Sequence, residues 1–281
     1  MKRSFLSLFC LLLAAPAMAA SGELYVYNWS EYLPDSVLRD FTKETGVKVI
    51  MSTYDSNEAM YAKVRMMDGK GYDIIVPSTD FVARMRKEGL LLPLDKSRLT
   101  NLGNLDPSLM NQLFDPDNVY SGPYMWGSTA IAVNGKNADA VGIVSFADLW
   151  KPEFKGKILL PNDMRGVLGM GLKRLGYSLN EADPAKVAEA CELLIPLMPG
   201  VRVFDSDSPK LALLNNEVLA AVLWNGEAYA ASGENPDIRC IYPEEGFSLW
   251  ADSLCIPKNA ANVENAHLFI DYLLRPEVSA L

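Results

Sequence analysis

A single histidine stands among 281 residues, and that scarcity removes the side chain on which most acyl-transfer triads and zinc cages depend. Cysteine is nearly as rare, at four, with no Cys-x-x-Cys spacing, so neither a thiolate metal site nor a disulfide scaffold is expected, and no cofactor is implied. Basic residues are in deficit: 26 Lys and Arg face 35 Asp and Glu, a net charge of −9 that repels nucleic acid and anionic lipid and favours cationic partners. Long apolar runs are missing too. The longest, Phe5 to Ala15, falls short of the roughly 20 residues that a membrane-spanning helix needs. No repeat of fixed period and no low-complexity tract interrupts the chain.

That short apolar run reads as an address. Lys2 and Arg3 precede it and Ala17-Met18-Ala19 follows, the order of a secretory signal over residues 1–19 with cleavage after Ala19. The mature chain is then exported, soluble and more acidic by two charges. Cys10 lacks a small residue before it, so a lipidated amino terminus is not expected. Three cysteines remain after cleavage. Cys191 shares a helical stripe with Val187, Leu194 and Met198 and reads as buried filler. Cys240 and Cys255 lie in strand-like segments, where a pair across a short loop and three unpaired core thiols are both compatible with the sequence.

At 49% hydrophobic residues the chain has enough apolar material for two α/β domains. From Leu24 to Trp29 it is aromatic and β-rich; Pro34 opens a helical pattern with Val37, Leu38 and Phe41 that Gly46 ends. Val47 to Thr53 is the next strand, Asp55-x-x-Glu58 has capping-box spacing, and Tyr72 to Pro77 is a nearly all-apolar strand. Trp126 and Trp150 read as packing residues. A long strand, Tyr124 to Asn134, is placed to leave one domain for another, after which the alternation starts afresh: strand 157–161, helices 165–175 and 184–198, strand 201–204, helix 209–215, strand 219–224. Phe247 to Ile256 is again strand-like and 261–274 an amphipathic helix. Apolar strands alternating with helices imply a mainly parallel sheet covered on both faces. The expected architecture is two lobes, residues 20–129 and 130–248, with a return to the first lobe over 249–281 and a cleft between them.

In open α/β sheets, ligands bind beyond the carboxyl ends of strands. Those ends are Trp29-Ser30-Glu31-Tyr32, Ser78-Thr79-Asp80, Asn162-Asp163 and Trp224-Asn225-Gly226-Glu227. Trp250 and Asp252, two apart on a strand, project from one face. Each residue also has a plainer reading: Asp80 as a helix N-cap, Asp163 as a helix start, Ser78 as a strand end, Glu227 as a solvated acid. Their convergence favours a site. Aromatic faces beside carboxylates suit a flexible organic cation: each charged hydrogen bond contributes roughly 1.5–3 kcal/mol, each buried methylene about 0.8, and cation–π contact roughly 0.5–2. That chemistry fits a linear polyamine.

The segments LYVYNWSEYLP (24–34), FTKETGVKV (41–49), YDIIVPST (72–79), LTNLGNLDPSLMN (99–111), PYMWGSTAIAVN (123–134), LWKPEFKGKILL (149–160), LWNGEAY (223–229), LWADSLCIP (249–257) and FIDYLLRPEV (269–278) closely resemble the periplasmic spermidine/putrescine-binding proteins of ABC importers. The resemblance runs from Leu24 almost to the last residue. It implies a type II periplasmic-binding fold of two α/β lobes that closes over a polyamine, as a monomer, and presents it to an inner-membrane ABC permease. It further implies an aromatic box of Trp29, Tyr32, Trp224 and Trp250, polar contacts from Ser30, Glu31 and Ser78, and amine-holding carboxylates at Asp163 and Asp252, the latter on an inner amine. Two positions depart from the spermidine-preferring pattern. Asp80 stands where an aromatic is found and Gly166 where a glutamate is found, so Asp80 is expected to replace part of the missing acid. Relatives of this kind continue for several dozen residues past Arg275-Pro276, supplying a Tyr and a Gln to the pocket; this sequence ends at Leu281, as a fragment or as a truncated product.

Other readings compete. An enzyme would have to work with carboxylates such as Glu31 and Asp163, because His267, beside Leu268 and Tyr272 on the last amphipathic helix, reads as structural. Ferric sites of this fold want paired tyrosines, and no Tyr-Tyr doublet occurs. A sugar site wants aromatics with fewer acids. A sensor with the same pocket is not distinguished from a transporter by pocket residues.

Overall fold

The computed structural model describes residues 22–137 and 142–281. The leader expected over residues 1–19 lies outside them. The first lobe opens with β1 (Gly22–Trp29), α1 (Asp35–Thr45), β2 (Val47–Tyr54), α2 (Asn57–Met66), β3 (Ile74–Ile75), α3 (Thr79–Lys87) and β4 (Leu91–Leu92). After a stretch of short 3-10 turns, β5 (Ser121–Asn134) carries the chain into the second lobe. There follow β6 (Ile158–Leu160), α4 (Met164–Arg174), α5 (Pro184–Leu194), β7 (Val201–Phe204), α6 (Pro209–Leu214), β8 (Ala220–Trp224), α7 (Asn225–Glu234) and β9 (Ile238–Ile241). The return is β10 (Leu249–Pro257), then α8 (Val263–Leu273) and α9 (Pro276–Ser279).

The strands follow one another in the order β2-β1-β3-β10-β5-β8-β6-β7, with β4 joined to β10 and β9 to β5. Pairing is parallel at both ends, β1 with β2 and β3, and β6 with β7 and β8. The centre is antiparallel, where β5 and β10 run side by side from one lobe to the other. Each half of the sheet is covered on both faces, as parallel strands require. In the first lobe Leu24, Val26, Phe41, Ile74 and Phe269 pack on one side and Tyr27, Tyr54, Met60, Val82 and Cys255 on the other. In the second, Ile131, Phe154, Ile158 and Val222 face one way, and Ala132, Leu159, Ala221 and Leu223 the other. The period-2 alternation along β1, β5 and β8 sorts these side chains.

Several expectations are corrected locally. The apolar run from Tyr72 to Pro77 is buried throughout, but only Ile74 and Ile75 pair as a strand. Asp55 and Glu58 form no capping box: Ser56 caps α2, its Oγ accepting from the Ala59 N–H at 3.3 Å. The helix read over 184–198 ends at Leu194 and tightens to a 3-10 turn, because Pro196 and Pro199 have no N–H to continue it. Cys191 is exposed rather than core, since α5 turns Ala190 and Leu194 inward instead. Cys240 is exposed as well, Cys255 is buried, and none of the three forms a disulfide. Trp126 is 62% exposed, not packed in a core. Trp150 does pack: it lies against the second-lobe core, donates its Nε1–H to the Leu193 carbonyl, and has the Arg174 guanidinium 3.9 Å from its ring centre. His267 is structural, buried on α8, with Nε2 accepting from the Asp95 N–H at 2.8 Å and Nδ1 2.8 Å from the Val263 carbonyl oxygen.

Candidate functional site

Where strand ends of both lobes meet the crossing strands, a cavity of about 260 Å³ opens. Its position follows from topology: loops after β1, β3, β6 and β8 converge there, and α3, α4 and α7 begin at its wall. Each of these helices carries a carboxylate at its start, Asp80, Asp163 and Glu227, where the helix dipole favours negative charge. Six carboxylates line the cavity in all, the others being Asp55, Asp207 and Asp252, against a single cation, Arg165.

Asp252 is its most constrained member. It sits on β10 just before the β5–β10 ladder slips by a residue, a bulge opposite Pro123 and Met125 that sets which way the side chain aims. The residue is 2% exposed. Ser78 donates to Oδ1 at 2.5 Å and Tyr32 to Oδ2 at 2.7 Å. Burial pushes the Asp252 carboxyl up to about 6, the two hydroxyl donors opposing the rise and the charges of Asp80 and Asp163 adding to it. Ser78 is itself held, its Oγ accepting from the Asn57 amide at 2.9 Å while its N–H donates to Asn57 Oδ1 at 3.0 Å. Tyr32 is fixed through its backbone, whose carbonyl accepts from the Tyr124 hydroxyl at 3.1 Å. Burial first, then the adjoining Asp252 carboxylate, raises the Tyr32 phenol well above its ordinary range, so it remains a donor.

The aromatic walls come from both lobes. Trp29 ends β1 with its Nε1–H on the Val76 carbonyl at 2.9 Å; its ring lies 6.4 Å from that of Trp224, which ends β8, and 6.3 Å from Tyr32. Trp250 lies over its cross-strand neighbour Gly127, where an added Cβ would stand 2.5 Å from Cζ2 of the indole. Only glycine leaves the ring that place. Its Nε1 is buried without a partner. Across the cleft, the Asn162 amide donates to Asp55 Oδ2 at 3.3 Å, joining the end of β6 to the end of β2.

Nine of the ten residues singled out from sequence line this cavity: Trp29, Ser30, Tyr32, Ser78, Asp80, Asp163, Trp224, Trp250 and Asp252. Glu31 does not. It is exposed, in the left-handed region at φ 60°, and not among the residues that line the cavity, though its charge reaches Glu227. Asp163 is the N-cap of α4, its Oδ1 accepting from the Arg165 N–H at 3.0 Å, and it also lines the cavity. Asp80 is no N-cap, because α3 starts two residues earlier than that reading requires, at Thr79, with Ser78 in the capping position. Glu227 is the residue that sequence reasoning set aside as solvated. It is half-buried, lines the cavity and keeps Oε2 buried without a partner; burial, then the charge of Glu31, raises its carboxyl. Its place in the opening turn of α7 after a strand-end Trp was the signal. Asn57, which orients Ser78, gave none.

Among the described residues no group of three or more His, Cys, Asp or Glu is arranged to hold a metal ion, and no helix is long and apolar enough to cross a membrane. The arrangement is a slot with indole and phenol walls and carboxylates spaced along it, one of them buried with its carboxyl pushed up to about 6.

Comparison with known proteins agrees with this geometry. The family model for bacterial extracellular solute-binding proteins matches residues 36–280. The spermidine/putrescine-binding periplasmic protein of Escherichia coli is 49% identical over 277 residues, covering 95% of this chain and 80% of that protein. The putrescine-binding periplasmic protein SpuD of Pseudomonas aeruginosa is 36% identical, covering all of this chain and 82% of its own length. Among solved structures, a putative spermidine/putrescine ABC transporter from Listeria monocytogenes superposes with a TM-score of 0.86 at 42% identity, over 92% of this chain and 80% of that one. Two α/β lobes joined by crossing strands are thus the type II periplasmic-binding architecture. Matched at such identity over nearly its whole length, the chain belongs to the bacterial extracellular solute-binding proteins.

Proposed function

We propose that the protein is the periplasmic component of an ABC importer, binding a linear polyamine, putrescine or spermidine, and handing it to the inner-membrane permease. The observation that carries this reading is the slot itself: six carboxylates and five aromatic residues, Trp29, Tyr32, Phe81, Trp224 and Trp250, around about 260 Å³. Carboxylates replace the water lost by each ammonium, and ring faces cover the methylenes between them. Sugars and amino acids would leave most of those charges unpaired, at a cost of several kcal/mol. The relatives' names point the same way, since the Escherichia coli and Pseudomonas aeruginosa proteins are called spermidine/putrescine-binding and putrescine-binding. Membership of a family of solute-binding proteins fits a cleft that holds a ligand.

Within this reading, Asp252 holds an amine at the centre of the slot, Asp163 and Glu227 hold amines toward its ends, and the aromatic residues enclose the chain between them. The mature protein is a monomer that begins after Ala19, and lobe closure over the ligand forms the surface the permease reads. Calorimetric titration of the purified mature protein with putrescine, cadaverine, spermidine and spermine, beside an amino acid, tests it. Micromolar or tighter binding of at least one polyamine, about −8 kcal/mol, is expected. Binding of the amino acid but of no polyamine overturns the reading. The mass of the exported protein checks the leader.

A further inference from the structure

Asp80 and Asp163 reach the cavity from opposite lobes, one from the opening turn of α3 and the other from the N-cap of α4. Asp163 is committed. Its Oδ1 accepts from the Arg165 N–H, the Gly166 N–H also supports the carboxylate, and Oδ2 stands over Gly166, where an added Cβ would come within 2.7 Å. Asp80 is not committed: among the described residues its carboxylate has no hydrogen-bond or ion-pair partner, and it does not cap its helix. Arg165, the only cation on the wall, donates from Nη2 to Asn180 Oδ1 at 2.6 Å and forms no ion pair with Asp80. Burial raises the Asp163 carboxyl despite its backbone donors, with the charge of Asp80 adding to the rise. Two carboxylates facing each other across a cleft, one of them without a partner, repel until a cation comes between them.

We propose that Asp80 determines specificity at this end of the slot by sharing one primary ammonium with Asp163 across the two lobes. The inference rests on the polyamine reading. A primary ammonium has three N–H donors and a positive charge, enough to serve a carboxylate on each lobe at once, whereas a hydroxyl end has one donor, an amide end two, and neither brings a charge to offset the two acids. The shared ammonium therefore both selects the ligand's end and draws α3 and α4 together.

The test is a double-mutant cycle by calorimetry with putrescine and with spermidine, on the wild type, Asp80→Asn, Asp163→Asn and the double variant, with Gly166→Ala alongside. Each single substitution is expected to weaken at least one of the two ligands by tenfold or more. The double variant is expected to fall well short of the product of the two losses, because both acids hold one group. Gly166→Ala, which crowds Oδ2 of Asp163 without removing its charge, is expected to cost less than Asp163→Asn. An Asp80→Asn protein that keeps wild-type affinity within twofold for both ligands, or losses that multiply independently, overturns the proposal and leaves the polyamine reading standing. A wild type that binds neither ligand overturns that reading and the proposal with it.

Discussion

The hydroxyl of Tyr32 donates to Oδ2 of Asp252 at 2.7 Å, joining two residues 220 positions apart in the chain. With Ser78 on Oδ1, both oxygens of a nearly inaccessible carboxylate are occupied by neutral donors, and no charged partner compensates its burial. The ligand-free protein therefore holds a costly ion at its centre.

Ligand binding should release a proton below neutrality. With the Asp252 carboxyl pushed up to about 6, the free protein carries a proton there at pH 5 that a cationic ligand expels. Affinity for putrescine is expected to be flat from pH 7 to 8 and to fall by about tenfold per unit well below 6. Titrations in buffers of different ionisation enthalpy count the protons; an affinity unchanged between pH 7 and 5 contradicts the expectation.

Asp252→Asn should separate stability from binding. Because the folded-state value lies above the unfolded one, the native state binds more protons than the unfolded chain between about pH 4 and 6, and stability is lost as pH rises through 6. Removing the charge is expected to raise the Tm of the ligand-free protein at pH 8 while costing at least about tenfold in polyamine affinity, near 1.4 kcal/mol. Thermal unfolding with and without ligand reads both; a lower ligand-free Tm at pH 8 would count against a strained carboxylate.

Tyr32→Phe removes one of the two donors that hold the Asp252 carboxyl down. The midpoint of the affinity–pH profile is expected to move upward, with weaker binding at pH 7. An unshifted midpoint means that the hydrogen bond does not tune the acid.

Gly127→Ala places a methyl 2.5 Å from Cζ2 of Trp250. Either the indole leaves its position or β5 bends, so polyamine affinity is expected to drop by at least about tenfold, with a stability loss of roughly 1–3 kcal/mol from overpacking. Tryptophan fluorescence on ligand addition follows the ring; wild-type affinity would show that Trp250 does not need this seat.

Glu227→Gln tests the buried, unpartnered Oε2 at the opposite wall. A severalfold loss of affinity for the longer of two polyamines, with the shorter less affected, is expected if the acid takes a far ammonium. Equal affinity for all lengths would return Glu227 to a bystander.

Periodicity and composition by themselves decided the two-lobe α/β plan, because apolar strands alternating with amphipathic helices can be buried in few other ways. They placed β1, β2, β7 and β8 within two residues, and the rule of strand ends picked out Trp29, Ser78, Asp163 and Trp224 before any contact was known. Local chemistry was legible only in part. Whether Asp80 or Asp163 capped a helix turned on a shift of two residues in where the helix begins, and a short acid after a strand reads the same in either case. Helical spacing put Cys191 on an apolar stripe, but only the packing of α5 decided which stripe faces inward. What no sequence pattern reaches is long-range: the bulge beside Asp252, the Gly127 seat under Trp250, Asn57 holding Ser78, and a cavity wall that includes Glu227 but not Glu31. Those relationships join residues far apart in the chain, and only the closing of the sheet brings their charges and rings near enough to act on one another.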